Sequence, residues 1–454
     1  NYLGKACTTM KQTLRLLLLA GFCHVPTSFG LDLVGVYDLA REKDPQIRQV
    51  RESVNAARES KPQALANLLP NLSAIGGYDW VSQDINSSPT GRTGRMSSTT
   101  YDMAVQLVQP VYHRDYWIEL KQADDTIAQA EAGQANAEID LMVRTATAYF
   151  NVLLAADGLR TAGAEKEANA RQLEQSQQRF DVGLIAITDV HESQAAYDNA
   201  VAAEIEAENN LSSAWEALRE IVGPINEPIA KLGEELPLAP PEPNDVEQWA
   251  EAALKQNYGI IAAQEGAESA KKTIEIQRSG HFPILDLQGA YGTQSSDSDF
   301  STDGETGVIG FEVNIPIYQG GGVTSRTRQA RYDYQASMES LDGTRREVNR
   351  SVRDAYRGII SSISRVKALK STVVSFQSAL ESTEAGLEVG TRTMVDVLTV
   401  TSSLYEAERN YLRERYAYII NGLKLHQAAS TLTPELLQKA NGWLVQNDTV
   451  APSR

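Results

Sequence analysis

An internally duplicated α+β membrane protein is the fold class that this sequence predicts, and three observations predict it. Landmark motifs recur at a nearly constant separation, four short segments alternate apolar with polar residues, and most of the remainder is helix-forming sequence of unusual length. The first landmark pair is Val182-Gly183-Leu184-Ile185-Ala186-Ile187-Thr188-Asp189-Val190 and Val389-Gly390-Thr391-Arg392-Thr393-Met394-Val395-Asp396-Val397, which share a Val-Gly start and an Asp-Val finish. The second is Val108-Gln109-Pro110-Val111-Tyr112 and Asn314-Ile315-Pro316-Ile317-Tyr318. Their separations are about 207 and 206 residues, so an order of landmarks repeats and each half should carry the same elements.

Taken in chain order, residues 1–30 read as a secretory signal. Lys11 and Arg15 supply a basic start, Leu16 to Cys23 an apolar run and Ser28-Phe29-Gly30 a small-residue exit, so the mature chain is expected to begin near Leu31. The run is shorter than the about 20 apolar residues of a transmembrane helix. Both cysteines, Cys7 and Cys23, fall in this removable part, and the bulky Phe22 before Cys23 argues against lipid attachment. No disulfide framework is expected.

The first repeat is expected over 31–232. Leu72 to Trp80 and Tyr101 to Leu107 alternate with period two, the pattern of a strand with two different faces. Leu285 to Tyr291 and Ile309 to Ile315 repeat this in the second repeat, 246–432, so each half holds one hairpin. The expected loops, 82–99 and 293–306, are rich in Ser, Asp, Gly and Thr, as the outer loops of membrane barrels are. A soluble sheet with one wet face explains one such hairpin. Aromatic residues near the strand ends (Tyr78, Trp80, Tyr101, Tyr112, Tyr291, Phe300, Phe311, Tyr318) and an export signal favour a membrane span. No stretch of 18 apolar residues follows the signal, so a membrane crossing must use strands in a closed barrel. Four strands cannot close around a pore; three copies would give twelve.

Helix formers dominate from His113 to Ala156, from Thr161 to Val222 and from Val323 to Ser430. Each Val-Gly motif should mark a hairpin tip between antiparallel helices. Val397, Leu404, Leu412, Tyr416, Ile419 and Leu423 give a helical apolar stripe suited to close packing. Pro110 and Pro316 stand at the strand-to-helix junctions and read as joints between barrel and helical tube. The proline-rich segment 233–245 reads as a partly extended connector, and the tail 433–454 as short helical signals followed by disorder from Gln446.

The net charge is −17, with 59 acidic and 42 basic residues, which argues against nucleic acid as a partner. The five histidines are scattered, the mature chain has no thiol and no glycine-rich phosphate loop follows a strand. Neither an enzyme, a metal centre nor a cofactor is expected. A periplasmic or surface coiled-coil scaffold without channel activity is the competing interpretation.

From about Leu31 to Trp443, and most specifically over Ile187 to Pro224 and Val389 to Leu432, the chain resembles the TolC family of outer-membrane efflux and secretion channels. The resemblance implies a homotrimer in which each protomer gives four strands to one outer-membrane β-barrel, continued by a periplasmic α-helical barrel. It implies an exit duct for tripartite efflux or type I secretion. The partners would be a periplasmic adaptor and an inner-membrane transporter of RND, ABC or MFS type. Val182, Gly183, Leu184, Val389, Gly390 and Thr391 match the adaptor-docking tips. Arg392 would pair with Asp189 and Thr188 to lock the closed end, with Gln178 at a second lock position whose expected tyrosine partner is Leu387 here. Asp396 would give a cation-binding ring at the constriction, and Thr399 replaces the aspartate of a second ring. An ordinary surface ion pair is the plain interpretation of Arg392 and Asp189. For Asp396 and Asp189 the plain one is helix N-capping.

Overall fold

A computed structural model describes residues 30–86, 93–297 and 303–452. Residues 1–29 of the expected signal, and Phe300, lie outside the described residues.

Three short helices come first. α1 (Leu33–Lys43) begins at Asp32, whose carboxylate accepts the Gly35 N–H at 2.8 Å. α2 (Pro45–Arg58) begins at Asp44, which accepts from Ile47 at 2.7 Å, with proline at the first turn where its missing N–H costs nothing. α3 (Ser60–Ala66) leads into β1 (Asn71–Ile85) and its antiparallel partner β2 (Gly94–Tyr112). α4 (Arg114–Asp181) then runs for 68 residues, roughly 100 Å at 1.5 Å per residue. α5 (Ile187–Val222) returns along it and ends before β3 (Ile229–Leu232). The order then recurs: α6 (Val246–Gln256), α7 (Tyr258–Ser279), β4 (Ile284–Ser296), β5 (Gly304–Asn314), α8 (Gly322–Glu388) and α9 (Met394–Ala428), followed by α10 (Pro434–Asn441) and β6 (Leu444–Val450).

The two hairpins join into one antiparallel sheet in the order β1-β2-β4-β5, leaving β1 and β5 as edges. The helices break at the two Val-Gly motifs, as the repeated motif predicts. All six residues of the predicted stripe on α9 are buried. Polar links flank it: Arg409 to Glu165 at 2.7 Å and Tyr416 Oη to Asp157 at 2.7 Å bind α9 to α4, and Arg365 to Glu414 at 3.1 Å binds α8 to α9. The main core lies where the short elements gird the long helices, around Leu33, Tyr149, Phe150, Trp215, Trp249 and Leu437. Each fully buried large side chain there is worth about 1.5–3 kcal/mol. α4 also contains one stretch apolar enough in composition for a membrane span, but 61% of it is buried in the fold, as befits a core helix.

Three expectations need correction. The strands extend well into the expected loops, to Ile85 and from Gly94 in the first hairpin and to Ser296 and from Gly304 in the second. Backbone ladder bonds continue there although both faces are polar, so no alternation announces them. The tail is not disordered through 446–452: β6 pairs antiparallel with β3, Val450 is buried and Lys231 meets Asp448 at 2.6 Å. Its partner lies more than 200 residues away, which local composition cannot signal. Finally, the helix-former runs separated at 157–160 are one unbroken helix, Gly158 being tolerated within α4 at a cost of about 1 kcal/mol. Segment 233–245 has neither helix nor strand and is fastened to α9 by Arg415, which donates to the Gly233 and Glu234 carbonyls, and by Tyr418.

Candidate functional site

Two regions of the molecule combine exposure with order: the sheet and the helical tips. In the sheet, residues directly opposite one another share a face, and the register sorts most of the apolar side chains to one face, with Ile75, Val81 and Val308 on the other. One face carries Leu72, Tyr78 and Trp80 of β1, Tyr101, Met103 and Val105 of β2, Leu287 and Tyr291 of β4, and Ile309, Phe311 and Val313 of β5. Most of these are exposed in the single chain, Ile309 at 78% and Met103 at 70%. An ordered apolar surface of this extent needs lipid or protein over it. The opposite face carries Ser73, Asp79, Asp102, Gln106, Asp286, Gln288 and Glu312. In the four strands Arg95 is the sole basic residue, set opposite Asp84 near the loop end.

Both predicted joints lie where the sheet meets the helices. Pro110 sits at a register shift two residues before β2 ends, so its missing N–H falls where the ladder is already irregular. Pro316 lies in the segment between β5 and α8. Beside the first joint His113 is buried, its Nε2 3.0 Å from Asp286 and its ring stacked on Tyr116 at 4.4 Å. Arg114 reaches Glu275 at 2.7 Å and covers the Phe282 ring. The sheet is thereby tied to α4 and α7.

At the tips both chain reversals use one geometry. Gly183 and Gly390 have φ of 76° and 77°, a left-handed conformation that glycine adopts without strain. The following residue closes the helix end: Leu184 N–H bonds to the Arg179 carbonyl at 2.9 Å and Thr391 N–H to the Gly386 carbonyl at 2.8 Å. Val182, Leu184 and Val389 are exposed at 70–74%. These apolar side chains therefore form the outermost surface of the helical end.

The helices restart differently. At α9 the N-cap is Thr393: its Oγ1 accepts the Asp396 N–H at 3.3 Å, while Asp396 Oδ2 accepts the Thr393 N–H and the Thr393 hydroxyl, both at 2.9 Å. This reciprocal box holds the Asp396 carboxyl below the usual carboxylate range, first through the two Thr393 bonds and then through the nearby Arg392 charge. At α5 the N-cap is Ala186, which has no side-chain acceptor. The Asp189 carboxylate has no hydrogen bond or ion pair among the described residues. The N-capping interpretation thus fails for both aspartates as caps: each is the third residue of its helix, and only Asp396 joins a box.

The remaining predicted residues are placed as follows. Arg392 is exposed and packs against Gly386, but within the chain it forms no ion pair with Asp189 among the described residues. Thr188 is exposed on the first turn of α5. Gln178 bonds to Glu174 at 3.3 Å on its own helix. It lines a groove of about 450 Å³ between α4 and α8 together with Leu387, so these two positions do come together. Thr399 gives its hydroxyl to the Val395 carbonyl at 2.7 Å. Thr393 was missed in the sequence, although Thr-x-x-Asp ahead of an apolar run is a readable capping signal.

A two-faced sheet joined to paired helical hairpins of this length defines an outer-membrane channel protein. The outer membrane efflux protein family model matches twice, over residues 36–224 and 249–431. The chain is 38% identical over 441 residues to outer membrane protein TolC of Vibrio cholerae, covering 96% of this chain and 99% of that one. It is 35% identical to outer membrane protein TolC of Escherichia coli over 96% of this chain and 90% of that one. It is 28% identical to the alkaline protease secretion protein AprF of Pseudomonas aeruginosa, over 94% and 90%. Among solved structures it matches the CmeC outer membrane channel of Campylobacter jejuni with a TM-score of 0.75 at 17% identity, over 90% of this chain and 89% of that one. The chain belongs to the outer membrane efflux protein family. It is an exit duct that resides in the outer membrane and extends into the periplasm.

Proposed function

We propose that three copies of this chain close one twelve-stranded barrel in the outer membrane, each giving four strands, and continue it as a periplasmic α-helical barrel that opens to efflux and type I secretion partners. One observation carries this: the sheet has an apolar and a polar face and two unpaired edges, β1 and β5, which only closure with further copies satisfies in lipid. The recurrence of elements over 31–232 and 246–432, with the connector 233–245 between them, a signal at 1–30 and a tail at 433–454, is read as a tandem duplication. The duct is passive, with no chemistry of its own.

The exposed tip residues Val182, Gly183, Leu184, Val389, Gly390 and Thr391 are the docking points for a periplasmic adaptor, which joins the duct to an RND, ABC or MFS transporter. Arg392 locks the closed end by reaching Asp189 and Thr188 of the neighbouring protomer. The lack of any partner for the Asp189 carboxylate among the described residues of its own chain supports this reading. Gln178 and Leu387 line one groove, and with leucine in place of a hydrogen-bonding partner the second lock is weaker. Asp396 forms the constriction ring, three carboxylates per trimer, which favours cations.

Purified protein in planar bilayers tests the reading. Ion conductance and a heat-dissociable trimer on gels are expected. A non-conducting monomer, or release of the protein from outer membranes by carbonate, would instead support the soluble scaffold.

A further inference from the structure

At the second tip one carboxylate oxygen is fully engaged and the other is not. Asp396 Oδ2 accepts two bonds from Thr393, whereas Oδ1 receives none from the described residues and the side chain is only half-buried. The two roles of Thr393 are separable. Its Oγ1 lone pair caps α9 through the Asp396 N–H, and its hydroxyl proton goes to the carboxylate. At the first tip Ala186 occupies the equivalent place and provides neither. The box is therefore a property of one tip and not a requirement of the chain reversal.

We infer that Thr393 is a positioning residue for the constriction: by donating to Oδ2 it keeps Asp396 ionised and its free oxygen Oδ1 turned out for a cation, so that cation block persists into acid. This rests on the proposal that Asp396 is the blocking carboxylate. A hydrogen bond to the charged form favours it, and a donor fixed by the same residue's backbone N–H removes the rotamer freedom of the carboxylate. Arg392 is the one charged side chain felt at Asp396 among the described residues; it acts in the same direction and is retained in every variant below. In the assembled trimer the other two Asp396 carboxylates face this one and oppose ionisation, which makes the Thr393 bonds count for more.

The test is block of trimer conductance by a trivalent cation, hexamminecobalt, measured at pH about 7.5 and about 3.5, on either side of the carboxylate range. Thr393→Val keeps size and β-branching but removes the hydroxyl. The factor by which acid weakens block should grow about two- to fivefold relative to the parent, the lower part of the range for loss of one cap hydroxyl. Thr393→Ser should restore the parent factor. Thr393→Gly, a good N-cap residue without a hydroxyl, should behave like the valine variant while keeping the helix start, which covers a valine variant that fails to assemble. An acid factor in the valine and glycine variants equal to the parent's would overturn the inference. Asp396→Asn is the separate control: if block survives in it at pH about 7.5, the assignment of Asp396 as the blocking group fails, whatever Thr393 does.

Discussion

The two helical tips have the same turn and opposite treatment of their aspartate. Both reverse through a glycine with φ near 76° and close the preceding helix with the same long-range backbone bond. Yet the residue four places beyond the Val-Gly pair's valine is Ala186 in one and Thr393 in the other. That difference sequesters Asp396 in its own helix start and leaves the Asp189 carboxylate without a partner among the described residues. A carboxylate already bonded is a poor choice for an intermolecular lock. One free at a helix N-terminus is a good one, since what it gains on meeting Arg392 displaces only water. In the proposed trimer the tips would thus divide the work: the first would offer an acceptor to a neighbour, and the second would hold a fixed charge at the centre.

The largest effect that would break this division is on block. Asp396→Ala should weaken trivalent-cation block from the periplasmic side by about tenfold or more, the equivalent of 1.4 kcal/mol shared over three carboxylates, whereas Asp189→Ala should leave block near the parent value. Equal losses in the two variants would show that the tips are not specialised. Next in size, Arg392→Ser and Asp189→Asn should each raise resting conductance, and the double variant should add little to either, because both remove one contact. Additive increases would mean that Arg392 and Asp189 act on different contacts.

A graft sharpens the comparison further. Ala186→Ser supplies the missing cap and should stabilise the start of α5 by about 0.5–1 kcal/mol. By drawing Asp189 into a box it should also raise conductance, though less than Arg392→Ser does. Unchanged conductance with increased helix protection would separate capping from locking. The smallest effect is in pH. The Asp396 carboxyl is held below its usual range in the folded chain, so its stabilising contribution is complete above the ordinary carboxylate range and is lost as pH falls through the lowered folded value. The protection of the Thr393 and Asp396 amides, measured as exchange relative to the free-chain rate at each pH, should therefore fall in acid.

Much of the architecture was legible in the string. The hairpins announced themselves where Tyr101 to Leu107 and Ile309 to Ile315 alternate, and the tips where Val-Gly recurs, because in both places local geometry dictates residue type. The register then sorted those alternating residues onto the faces expected of them. The strand ends beyond Trp80 and Tyr291 were not legible, since alternation exists only while one face is apolar. β6 was not legible either, because its partner β3 is remote. At the tips both aspartates were recognised, but helix N-capping, the plain alternative for each, does not hold: the N-cap of α9 is Thr393 and that of α5 is Ala186, and only Asp396 joins a box.

By itself the sequence determined the periodicity of strands and helices, the positions of the two helical tips and the family, each of which follows from residues within a few positions of one another or from a repeated order of them. Tertiary structure alone decided which strand edges remain open, that β3 pairs with β6, and that His113 lies buried against Asp286. Those outcomes depend on which groups meet across hundreds of residues and on which hydrogen bonds they have left to make.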